Sequence, residues 1–265
     1  MFYVVCVFFS LFCVNLEAGQ FEPKFEGQNG IPQENIDNLR VSVQYYLRYN
    51  PVIVEVGGYE GVCTQGFAQG FPKGRVIVFE PNPKAFKNLL EKVKNYSNVS
   101  AHNLALSTYN GIAKLNICQN IIFLEHPVLQ MVQHLNNHQI EKFSSLLPDN
   151  TRRGPFFQNQ TIDVPCVVLD DWCKQNSIDR IDLLRLDIGG FELQVLKSSP
   201  EILKSVLVIC TRTNFFPFRI GTTQYAELKS FLEQEGFELI GHWYRESIYG
   251  EATFVRKYLY DSIYR

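Results

Sequence analysis

One cluster of glycines and acids has the residue types and spacing for ligand chemistry. Glu55-Val56-Gly57-Gly58-Tyr59-Glu60-Gly61 closes an apolar run. Glycines let a backbone bend sharply and approach a ligand, and a helix opening just after such a turn aims N–H groups at it. The spacing is G-G-x-x-G rather than the G-x-G-x-x-G of dinucleotide enzymes, and Glu60 would set a carboxylate against a pyrophosphate. NAD-type ligands are therefore disfavoured. A ligand with an ammonium, a sulfonium and a single carboxylate suits a loop lined by Glu55, and S-adenosylmethionine answers that description. Glu80 follows 25 positions later (80 − 55), at the end of a second apolar run, where an acid can accept from both hydroxyls of a ribose. The alternative is a tight strand-to-helix turn with no ligand.

Other reactive side chains form no such pattern. His134 and His138 lie four apart, with His126 and Cys118 upstream, a spacing that reads as a polar helix face rather than a metal site. None of the seven cysteines has C-x-x-C spacing, so no metal is expected and the thiols are read as free. The net charge of −2, with Lys and Arg scattered, gives no footprint for nucleic acid.

These residues need a scaffold, and the chain supplies alternating strands and helices. Residues 51–57, 75–80, 181–187 and 206–210 are apolar and β-branched, as strands buried on both faces are. Residues 99–106 and 112–117 read as further strands. Helices are expected from Leu39 to the break at Asn50-Pro51, over 81–96 with Ala85, Leu89, Leu90 and Val93 on one face, over 191–199 and over 224–236. Residues 237–243 and 252–258 read as a closing antiparallel pair. Such alternation predicts an α/β fold with a mostly parallel central sheet and helices on both faces. Residues 119–160, rich in Asn, Gln and His, break the rhythm as an insertion covering the substrate side. Asp170 and Asp171 read as caps of the helix they open.

Several segments together resemble the FkbM family of methyltransferases, from about Val52 to Trp243. Val54 to Gly61 is similar to that family's V-D-V-G-A-N-x-G loop, and Val78-Phe79-Glu80-Pro81-Asn82-Pro83 to its F-E-P-n-P segment. Asn103-Leu104-Ala105-Leu106-Ser107 resembles the stretch lining the adenine. Ser144-Ser145-Leu146 and Val168 to Trp172 resemble its S-S-l and t-L-D-d elements. Ile181 to Lys197 resembles i-D-l-l-K-i-D-v-E-G-x-E-x-x-v-L-k. The resemblance implies a Rossmann-like class I methyltransferase fold and S-adenosyl-L-methionine as cofactor, held by Glu55, Gly57, Gly58, Gly61, Glu80, Pro81, Asn103 and Ala105. It departs from the family pattern at Tyr59 for Asn, Glu60 for an apolar residue, Arg185 for Lys and Gly189 for Glu.

Methyl transfer to a hydroxyl needs positioning and a base. Asp187 is the candidate base or substrate anchor, with a helix N-cap as its alternative role. Glu192 is a candidate second carboxylate or a solvated first-turn residue. The acceptor implied is a hydroxyl of a saccharide, glycolipid or secondary metabolite; a catalytically weak domain that binds a glycan or protein is the competing reading, motivated by Gly189. The apolar run within residues 1–17 reads as a leader or membrane tether, with membrane association through residues 2–14, and as an exported chain; if it packs on the domain instead, the chain is cytoplasmic. Residues 18–34 read as a linker and 35–265 as one domain.

Overall fold

The computed structural model describes residues 26–27, 43–121, 140–141, 143–149, 157–245 and 249–264. In chain order it contains β1 (Glu26–Gly27), a 3-10 turn (Gln44–Tyr46), β2 (Val52–Val56), α1 (Val62–Gly70), β3 (Arg75–Phe79), α2 (Pro83–Val93), β4 (Val99–His102) and β5 (Ala105–Leu106). Then follow β6 (Gly111–Ile121), β7 (Phe157–Val167), α3 (Leu169–Gln175), β8 (Leu183–Leu186), α4 (Glu192–Lys197) and α5 (Pro200–Leu203). The chain continues through β9 (Val208–Asn214), α6 (Tyr225–Gln234), β10 (Phe237–Arg245), β11 (Tyr249–Arg256) and α7 (Lys257–Tyr264).

The main sheet runs β4-β3-β2-β8-β9-β11-β10-β1. Strands β4, β3, β2, β8 and β9 pair in parallel, while β11 is antiparallel to both β9 and β10. This is the expected Rossmann-like class I methyltransferase arrangement, with its antiparallel closing strand. Alternate residues of each central strand serve opposite faces. Val54, Ile77, Leu184 and Ile209 pack with Trp172 of α3, Leu193 of α4 and Leu232 of α6. Ile53, Val76, Leu183 and Val208 pack with Phe67 and Ala68 of α1. A helix layer on each face removes all four strands from water, which explains their mostly apolar character; the buried charges within them are Glu55, Arg185 and Arg212. Asp182, just before β8, is fully buried; it accepts the Val52 N–H at 2.7 Å and the guanidinium of Arg48, tying the near ends of β2 and β8 together.

Several expected elements take a different form. The helix before Pro51 is a single 3-10 turn within the described residues, and Leu39 and Val41 lie outside them. Leu90 is 45% exposed, because Ala85, Leu89 and Val93 step by four and leave Leu90 a third of a turn away. The strand read over 99–106 breaks after His102, where the Asn103 side chain donates to the Glu80 and Pro81 carbonyls and sends the chain into a second sheet. That sheet, β5-β7-β6, contains a strand the sequence reading missed, β7. Ile162, Val164 and Cys166 of β7 turn inward onto Ala105, Ala113 and Leu115. The final strand stops at Arg256, and α7 then seats Leu259 and Tyr260 on the core.

Of the insertion read over 119–160, residues 119–121 and 157–160 belong to β6 and β7, and residues 140–141 and 143–149 form a strap. Asn116 and Ser145 exchange backbone hydrogen bonds at 2.9 and 3.1 Å, which lays the strap along β6. Arg219, among the largest fully buried side chains, donates to the Phe143 and Leu147 carbonyls and anchors the strap to the loop after β9. His126, His134 and His138 lie outside the described residues. Among the described residues no group of acids, histidines and cysteines could hold a metal, and no helix is long and apolar enough to cross a membrane.

Candidate active site

In an open α/β sheet the ligand crevice lies at the carboxyl ends of the strands, where the strand order reverses, here between β2 and β8. The turn after β2 is moored to β3: the Gly57 and Gly58 amides both donate to the Phe79 carbonyl, at 2.9 and 3.1 Å. Gly57 has φ +86°, and a Cβ there would collide with the Asp187 carbonyl oxygen, so glycine is required. Tyr59 is a non-glycine residue at φ +48°. Asparagine tolerates that conformation better than most side chains, which accounts for the Asn at this place in the FkbM pattern.

Glu80 stands directly beneath this turn. Its carboxylate accepts the Tyr59 N–H at 2.7 Å and the Asn82 N–H at 2.8 Å. Burial raises its pKa to about 7 against the lowering effect of those two amides. Glu55 is fully buried one layer down, accepting from Thr64 Oγ1 at 2.6 Å and lying 3.4 Å from Arg185. Burial takes it too to about 7, so it braces α1 against β8 from inside. Gly57, Gly58, Gly61, Glu80, Pro81 and Asn103 thus gather around the ends of β2 and β3. Ala105, two residues past Asn103, packs in the core of the second sheet.

Asp187 sits at the end of β8, its N–H donating to the Val56 carbonyl at 2.9 Å. Burial alone would raise its pKa, but Arg212 at 3.0 Å and Arg185 at 3.2 Å overcome that and hold it at about 2. Its side chain keeps 29% exposure. It caps no helix: the residue preceding α4 is Phe191, without a side-chain cap. Glu192 is fully buried rather than solvated. Its Oε1 accepts the Ile188 and Gly190 amides, both at 3.2 Å, while Oε2 has no hydrogen-bond partner. Burial raises its pKa to about 7.

Arg212 went unnoticed in the sequence because the strand read there ended at Cys210, whereas β9 runs to Asn214. Its guanidinium lies 5.1 Å from the Phe143 ring of the strap and 4.6 Å from the Tyr249 ring of β11. An arginine inside an apolar strand run was the available signal. Arg185, on the same face of the sheet, also reaches Glu251 at 3.7 Å, so the guanidinium faces three carboxylates. Gly189 has φ +63°, and a Cβ would stand 2.7 Å from the Ser144 carbonyl oxygen. The strap and this glycine therefore require each other. Asp170 proves to cap a different helix from the one it opens: its carboxylate accepts the Glu201 and Ile202 amides of α5 at 3.0 and 2.8 Å.

Known proteins are similar to this chain. The family model described as "Methyltransferase FkbM domain" matches residues 55–239. The chain is 25% identical over 185 residues to 2-O-methyltransferase NoeI of Sinorhizobium fredii (strain NBRC 101917 / NGR234), covering 68% of this chain and 70% of that one. It is 24% identical over 208 residues to methyltransferase sdnD of Sordaria araneosa, covering 73% and 76%. A solved SAM-dependent methyltransferase from Aquifex aeolicus aligns over 86% of this chain and 94% of its own, at 13% identity and a TM-score of 0.43. The matched span runs from Glu55 at the cofactor turn to Leu239 in β10 and takes in Asp187 after β8 and Glu192 at the start of α4, so the chain belongs to the FkbM methyltransferase family and is an S-adenosylmethionine-dependent methyltransferase.

Proposed function

We propose that this enzyme methylates an oxygen, a hydroxyl carried by a saccharide, glycolipid or secondary metabolite. The observation that carries the reading is Asp187: a half-buried carboxylate fixed by two guanidiniums at the end of a central strand, beside the turn at Gly57. The name of the relative NoeI, a 2-O-methyltransferase, supports an oxygen acceptor.

The donor set fits the cofactor. Glu80 has two carboxylate oxygens in place for ribose hydroxyls, each already taking one amide and keeping room for a second donor. Gly57, Gly58 and Gly61 let the backbone pass close to the ligand, with Pro81 and Asn103 flanking and Glu55 bracing from below. When bound, the cofactor would supply a methyl group on a sulfonium, its carbon open to in-line attack by the acceptor oxygen with the thioether as leaving group.

Asp187, ionised throughout the working pH range, accepts a hydrogen bond from the acceptor hydroxyl and points an oxygen lone pair at the methyl carbon. A carboxylate with pKa about 2 is a weak base, so its contribution is orientation and electrostatics, and the proton passes on to water. Glu192 holds the turn 188–190 that carries Asp187. The test is a methyl-transfer assay on methyl glycosides, glycolipids and simple alcohols with wild type and Asp187→Asn. The variant is expected to lose about 100-fold in kcat while binding S-adenosylhomocysteine with near wild-type affinity. Turnover that survives the substitution would remove Asp187 from this role.

A further inference from the structure

Tyr59 departs from the FkbM pattern, and its contacts join the cofactor turn to the strap. Its N–H donates to Glu80 Oε2 at 2.7 Å, and its hydroxyl donates to Oε2 of Glu141 in the strap at 3.1 Å. A second route connects the same two carboxylates. Glu80 Oε1 takes the Asn82 amide, the Asn82 side chain takes the Lys84 amide at 3.0 Å, and Lys84 Nζ reaches Glu141 Oε1 at 2.8 Å. Each oxygen of Glu80 is therefore linked to an oxygen of Glu141. The Lys84 arm is 74% exposed and weak, so the Tyr59 arm carries more of the linkage.

Beyond Glu141 the strap completes the acceptor side. Phe143 lies against Arg212, the Ser144 carbonyl fills the space next to Gly189, and Ser145 Oγ is 3.4 Å from the Ile188 carbonyl. All three are neighbours of Asp187. A bulky residue at φ +48° stays there only while its partners hold it, and Glu80 on one side and Glu141 on the other are two of them.

We propose that Tyr59 is a positioning residue that couples the cofactor turn to the strap, so that the acceptor wall formed by Phe143, Ser144 and Ser145, already anchored by Arg219 and β6, is steadied further when the ribose of the cofactor fixes Glu80. Bound cofactor then favours acceptor binding. The inference rests on Glu80 as the ribose ligand and not on the identity of the acceptor.

Hydrogen–deuterium exchange of the strap, with and without saturating S-adenosylhomocysteine, tests it without needing an acceptor. In wild type the ligand should slow exchange over residues 143–149 by about five-fold or more, the lower end of ordinary coupling between sites. In Tyr59→Phe and in Glu141→Ala, each at saturating ligand, the slowing should fall below about two-fold. Reciprocity requires the variants to bind the ligand more weakly by no more than the same factor, read by calorimetry. Wild-type slowing retained in Tyr59→Phe, or strap exchange in wild type indifferent to a bound ligand, would overturn the coupling while leaving the cofactor site intact. Absence of binding to wild type would overturn the cofactor reading and the coupling with it.

Discussion

Glu80 and Asp187 are both acids at strand ends, yet the protein treats them in opposite ways. Glu80 has amides but no cation beside it, so burial dominates; Asp187 has two guanidiniums, and they win. Glu80→Ala should cost on the order of 2–4 kcal/mol of S-adenosylhomocysteine affinity by calorimetry, the loss of two charge-assisted hydrogen bonds. Unchanged affinity in the folded variant would remove Glu80 from the ribose. Glu192 makes a stability prediction. Its folded pKa, about 7, lies above the ordinary 4.5, so the stability it contributes is present below pH 4.5 and is lost as pH rises through about 7. Glu192→Gln cannot titrate; urea unfolding at pH 5 and pH 8 should therefore show the variant gaining on wild type at the higher pH. Identical pH dependence in the two proteins would contradict the buried carboxyl. Gly189→Glu looks from the family pattern like a restoration, but φ +63° and the Ser144 carbonyl make it a disruption of about 1–3 kcal/mol, measurable in the same unfolding experiment. The acids were legible because each ends an apolar run. The left-handed conformations at Tyr59 and Gly189 were not, since nothing local distinguishes a residue held at positive φ by a distant strap.

The central strands and their helices were legible because a strand covered on both faces is largely apolar, as β2, β3, β8 and the start of β9 are; Glu55, Arg185 and Arg212 interrupt those runs at the site. Strand β7 was harder. It alternates Ile162, Val164 and Cys166 inward with Thr161, Asp163 and Pro165 outward, and half of its residues therefore look like loop. The strap carries no regular period, because Arg219, the edge of β6 and unevenly spaced buried side chains, Ile140, Phe143 and Leu147, hold it. At α5 a four-residue helix depends on a borrowed cap. Asp170→Ala should cost about 1 kcal/mol in urea unfolding, because two N–H groups at its start lose their acceptor. A fully neutral substitution would show that those amides are satisfied elsewhere.

At the scale of the whole molecule, we propose that residues 1–17 are a leader or tether; within the stretch read as a linker, Glu26 and Gly27 pair with β10 as the edge of the main sheet. Removal of residues 1–18 should then leave the Tm unchanged by calorimetry, and a clear drop would place that segment on the core. The order in which the main sheet is filled has a further consequence, for biogenesis. Strand β11 follows β10 in the chain but lies between β9 and β10. A nascent chain ending at residue 245 has β9 and β10 made, with their facing edges unpaired and their apolar faces ready. Unpaired edges of this kind recruit the wrong partners. Closure of the main sheet therefore waits for residues 249–256, and until they emerge the facing edges of β9 and β10 are open to mispairing.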